Sequence, residues 1–186
     1  MLYSIDNIDN YIINYAYEKN RSVTNLKLQK ILYFVYGFYY AFTNEELFDE
    51  GFEAWAYGPV VRKSYVRYSM FGAEIIPPHN NYFDLLFDNN FKYDSEKNAS
   101  RFENIFDDST RKIINNLLDL LLPRPVMDLV ELSHSPNGPW SRSYEEGKKR
   151  LISKDYIFDY FKSFRDTATA WKIKKLLMIM KSFIEK

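Results

Sequence analysis

The sequence predicts a mainly α-helical fold with a small β element, an α+β single domain built around one central hydrophobic helix. Three observations carry that expectation. Residues 25–42 are apolar on nearly every side of a helix, several further stretches carry an apolar stripe at helical spacing, and one short run alternates with a period of two. At 186 residues the chain is long enough to bury a core without disulfides or metals, and nothing in it demands a second unit.

Ile5, Ile8, Ile12, Tyr15 and Ala16 predict a first helix over Ile5 to Glu18. From Asn25, read as the N-cap, Leu28, Ile31, Leu32, Val35, Phe38, Tyr39 and Phe42 fall on one arc of the second helix, and Tyr33, Tyr36 and Tyr40 on an arc beside it. A helix this apolar belongs in the middle of the fold. Phe52, Ala54 and Ala56 then alternate with Glu53, Trp55 and Tyr57, which predicts a strand with Trp55 and Tyr57 on the same face. Gly58 and Pro59 end that strand, and Pro59 suits the first turn of a helix marked by Val61, Tyr65 and Tyr68. A strand partner is expected at Glu74 to Ile76 or Phe91 to Tyr93.

Residues 77–106 read as a long connection with one helical turn. Ile113, Ile114, Leu117, Leu118 and Leu121 then predict a helix from Asp108 that Pro123 stops. Pro125 opens a helix through His134, Trp140 to Gly147 reads as helical, and Ser153 caps a helix through Phe164. Beyond it, residues 165–186 predict a basic amphipathic helix packed on the domain, with Lys172, Lys174, Lys175 and Lys181 flanking its apolar face. The same pattern also suits a membrane surface or nucleic acid.

Charge and composition narrow the function. The 25 basic and 25 acidic residues cancel, so bulk attraction to nucleic acid is not expected. There is no cysteine, which excludes disulfides, thiolate nucleophiles and Cys-dependent zinc sites and fits a reducing cytoplasm. The N-terminus has acids and asparagines where a secretory leader has basic residues and an apolar run, and no apolar stretch is long enough for a membrane span.

Catalytic ingredients are sparse. Two histidines are present, without a phosphate-binding glycine loop, a nucleophile elbow or a zinc-binding helix motif. His134, with Glu131 on the same helix face and Ser133 beside it, has the elements of an oriented general base. A structural histidine at a helix C-terminus has the same neighbours, with its cationic form favoured there. His79 has no visible partners, and Asp107, Asp108 and Asp119 read as caps or solvated faces. No enzyme, cofactor or metal is expected.

Three blocks then occur in order: TNLKLQKILYFVYGFYYAF (Thr24 to Phe42), LFDEGFEAWAYGPVVRKSY (Leu47 to Tyr65) and LVELSHSPNGPWSRS (Leu129 to Ser143). With these the chain resembles the SocA-type antitoxin family, the Panacea domain, over roughly Asp6 to Phe164. Phe52 departs from the family's usual Ile or Val, and residues 77–106 and the tail beyond Phe164 lie outside the matched wording. The resemblance implies a domain over residues 1–164. It also implies an antitoxin of a type II toxin–antitoxin pair, which neutralises a cognate protein toxin from an adjacent gene by direct binding in the cytoplasm. The alternative is a phage- or prophage-encoded interaction protein or proteolytic adaptor acting on a host protein. Candidate partner-binding residues are Lys30, Tyr33, Tyr36, Tyr40, Trp55 and Tyr57; Gly58, Pro59, His134, Gly138, Pro139 and Trp140 form the structural corners. The corners and the tyrosine arc are expected to lie close together, as an inner frame or as a partner groove.

Overall fold

A computed structural model describes residues 2–80, 86 and 92–166. Its mainly helical architecture with a small antiparallel sheet is the one that the apolar periodicities predict. Helix α1 (Ile5–Glu18) starts where the Ser4 side chain accepts a hydrogen bond from the Asp6 N–H, and it has the predicted bounds. Helix α2 (Asn25–Thr43) is the hub: α1, α3, β2 and three later helices all pack on it. Thr24 rather than Asn25 is its N-cap, accepting from the Lys27 N–H at 3.3 Å. The Asn25 amide is turned to another use, donating to the Tyr65 carbonyl at 2.9 Å. Asn44, in the left-handed conformation at φ 61°, ends the helix.

The small sheet overturns one sequence reading. Strand β1 (Phe52–Trp55) turns back through Ala56 and Tyr57 into β2 (Gly58–Val60), pairing Trp55 with Gly58 and Glu53 with Val60. Gly58-Pro59 is therefore the start of a second strand, and helix α3 (Arg62–Arg67) begins only after Val61. Tyr57 sits in the turn and shares no strand face with Trp55. The second partner of β1 is β3 (Leu151–Ile152), giving the order β2-β1-β3. Ile75 bridges Thr24 instead, and Phe91 lies outside the described residues. Without the usual Asn or Gly at its centre, this hairpin carries no turn signal that sequence patterns detect.

Residues 95–103, read as part of a connection, form helix α4 (Ser95–Glu103), capped by the Asp94 carboxylate. Only Asn98 and Phe102 of it are buried, too thin a stripe to register as periodic. Helices α5 (Asp108–Leu121, N-cap Asp107) and α6 (Val126–Ser133) follow as expected. Helix α7 (Pro139–Ser143) is shorter than the span predicted to Gly147, because Tyr144 is extended and Glu145 bridges Lys148. Helix α8 (Lys154–Asp166) packs along α2, its Phe161 ring lying directly over Gly37. Of the predicted tail helix over residues 165–186, the first two residues belong to α8 and the rest lie outside those described.

His79 is the other correction. It is fully buried, with Nε2 3.2 Å from the Tyr68 hydroxyl and Nδ1 3.0 Å from the Pro77 carbonyl. The Asn14 side chain bonds both its N–H and its carbonyl oxygen, so this residue ties an irregular stretch to α1.

Candidate functional site

The motif residues converge where α2 meets β2. Lys30 is fully buried, and its Nζ donates to the Pro59 carbonyl at 2.7 Å. Its neighbour Gln29 reaches the same segment, accepting from the Val61 N–H at 3.0 Å while its amide donates to Ser64 Oγ at 3.1 Å. Two consecutive side chains of one helix thus hold the exit of β2 at Pro59 and Val61. The chain of contacts continues inward, because Ser64 Oγ donates to the buried Asp9 at 2.9 Å and Arg67 pairs with Asp9 at 3.2 Å. Burial pushes the Asp9 carboxyl up to about 8, against the pull of Ser64 and then of Arg67.

Gly58 completes the junction. Its φ is +96°, and a Cβ there would stand 2.5 Å from Ser133 Oγ and 2.6 Å from Lys30 Nζ. The space that a side chain would occupy is taken by these two polar groups. Next to them His134 stacks on Trp140 at 3.6 Å between ring centroids, and Trp140 stacks on Tyr144 at 4.5 Å. The Trp140 indole N–H donates to the Trp55 carbonyl at 2.8 Å, which joins the two corners. Gly138 caps α7 and Pro139 occupies its first position, buried.

Electrostatics correct the reading of His134. Burial, and then the Lys30 charge, hold its imidazole below the usual histidine value, so the neutral form is favoured despite the helix C-terminus. Glu131 meets His134 through its backbone carbonyl, which accepts from the His134 N–H at 3.0 Å, and the imidazole Nε2 is buried without a hydrogen-bond partner. A base oriented by a carboxylate is not what this geometry builds.

Lys30 is pushed down to about 7 by burial. The unfolded chain, with a lysine near its ordinary value, binds the extra proton between about pH 7 and 10, so stability rises with pH across that window. Lys30→Met keeps the volume and removes the titration. Relative to that variant, the wild type is expected to gain on the order of 4 kcal/mol between pH 7 and 10, read from urea unfolding at each pH. A difference that stays flat would mean that the ammonium is solvated in the folded state.

The remaining candidates are spread out. Tyr33 and Tyr36 lie beneath the sheet, their rings 5.5 and 5.4 Å from Phe52, and both are buried. Tyr40 is half-buried against Phe158 of α8, at 4.5 Å. It stands about 15 Å along α2 from Lys30 at the helical rise of 1.5 Å per residue. Trp55 is half-buried, donating its indole N–H to Glu53 Oε2 at 2.8 Å, and Tyr57 is 63% exposed. Lys30, Trp55, Gly58, Pro59, His134 and Trp140 thus form one junction. Tyr40 stands apart from it, and Tyr57 projects from the hairpin tip.

The model of the family described as "Antitoxin SocA-like, Panacea domain" matches residues 28–141, more than half of the chain. The chain belongs to that family. No curated protein and no solved structure matches it. The Panacea match runs from α2 to α7 and so contains the whole Lys30–Gly58–Trp140 junction, while α1, β3 and α8 lie outside it. Among the described residues of this Panacea protein, no helix is long and apolar enough to cross a membrane. Nor do three or more His, Asp or Glu side chains group there as metal ligands.

Proposed function

We propose that this Panacea protein is the antitoxin of a type II pair: it neutralises a cognate protein toxin, the product of an adjacent gene, by binding it directly in the cytoplasm. The observation that carries this reading is the family membership over residues 28–141. The interior supports a binding role, because Lys30 holds the Pro59 carbonyl and Asp9 is engaged by Ser64 and Arg67, both closed off from solvent. On this reading the protein acts by occupying the toxin's surface and carries out no reaction itself.

Co-expression tests it. One neighbouring gene product is expected to arrest growth alone, and growth returns when this protein is produced with it, with both recovered as a stoichiometric complex. If every neighbour is harmless alone, the reading fails. A fall in the partner's half-life in place of a stable complex would move the assignment to a proteolytic adaptor.

A further inference from the structure

The outward face of the small sheet presents large apolar side chains around a single carboxylate, where a solvent-facing antiparallel sheet ordinarily presents mostly polar ones. Along β1, Phe52 and Ala54 are buried while Glu53 and Trp55 turn outward. Leu151, the register partner of Glu53 on β3, shares that face and is 71% exposed. Tyr57 extends the patch at the hairpin tip, and Tyr65 of α3 packs against the Trp55 indole at 4.7 Å.

Two cations border this patch. Lys149 Nζ lies 3.8 Å from the centroid of the Trp55 ring, and Arg62 sits one turn before Tyr65 on α3. Among the described residues neither is in ion-pair contact with a carboxylate, whereas Lys148 and Arg150, on either side of Lys149, are both paired with Glu145. Aromatic anchors inside a charged rim are the composition of a binding hot spot.

We propose that this face, formed by Trp55, Tyr57, Tyr65 and Leu151 with Lys149 and Arg62 at its border, is where the protein partner docks. The partner presents apolar side chains opposite Tyr57 and Leu151, carboxylates opposite Lys149 and Arg62, and a cation or hydrogen-bond donor opposite Glu53. The identity of that partner as the toxin rests on the antitoxin reading above. Nucleic acid fits less well, because the Glu53 carboxylate stands within the patch and would face the phosphates.

The test uses the full chain and the toxic neighbour identified by co-expression. Tyr57→Ala, Leu151→Ala and Lys149→Glu alter exposed side chains, and each is expected to keep the wild-type melting temperature while binding the toxin at least about tenfold more weakly by calorimetry. Tyr17→Ala, at an exposed aromatic of α1, is expected to bind as the wild type does. Wild-type affinity falls as salt is raised, and Lys149→Glu removes much of that dependence. If the wild type forms a complex and all three variants bind within twofold of it, the docking face is wrong and the antitoxin reading stands. If the wild type rescues no neighbour, the antitoxin reading itself fails and the toxin assignment of this face goes with it. Self-association of the wild type that Leu151→Ala abolishes would give the face to a dimer and overturn the proposal.

Discussion

Gly58→Ala is expected to cost roughly 3 to 5 kcal/mol, the sum of a backbone held at positive φ and an overpacked site. An alanine at φ +96° is strained wherever it sits, and here its methyl group would also displace Ser133 Oγ or Lys30 Nζ. Neither group has an easy retreat. The Lys30 ammonium would give up its bond to the Pro59 carbonyl, and Ser133 its bond to the Val130 carbonyl. Gly147→Ala is the control, since Gly147 also has positive φ, at 74°, with open space where the methyl group would go. It isolates the backbone cost, on the order of 1 kcal/mol. Urea midpoints for the two variants decide the matter: equal losses would show that the packing at Gly58 carries no weight. A domain of this size has only about 5–15 kcal/mol of stability, so Gly58→Ala reaches a large fraction of it.

Gly37→Ala is expected to destabilise by about 2 kcal/mol although alanine is the better helix former by about 1 kcal/mol. The cause is Phe161 of α8, whose ring lies where the new methyl group would be, with Cζ at 2.7 Å. That ring is wedged among Tyr33, Phe34 and Phe38, with centroids at 5.4, 6.2 and 4.8 Å, so it cannot slide aside without disturbing the helix–helix contact. Phe161→Leu in the Gly37→Ala background is expected to recover part of the loss. A double-mutant cycle then reports a coupling of about 1 to 2 kcal/mol. Additive effects would mean that α8 shifts as a unit to absorb the methyl group.

What the sequence made legible follows from how many residues each signal engages. Helix α1 has an apolar residue at each turn, and its bounds come out as read; α2 is apolar enough that its central place was the natural inference. The hairpin was not legible, because two residues, Ala56 and Tyr57, make the whole turn and neither is a turn former. Helix α4 presents one aromatic and one amide to the core, and His79 owes its burial to Asn14 and Tyr68, distant in sequence and each unremarkable there. At the junction, the motif pointed to Lys30 without saying whether it faces in or out. Only its bond to a backbone carbonyl 29 residues away puts it inside. Lys149 carries no sequence signal, since nothing local to a basic run of three residues marks the one that rests on an indole.

The edges of the sheet bear on how a partner attaches. An incoming strand needs a row of unused N–H and C=O groups to add itself to a sheet. At the β2 edge, Pro59 has no N–H to offer and its carbonyl is taken by Lys30, while Gln29 holds the N–H of Val61. At the other edge, β3 provides only two residues. Both rails along which backbone addition would run are closed or too short, so a partner docked on this sheet as proposed would be held through side chains, and its backbone shape would matter less than its surface chemistry.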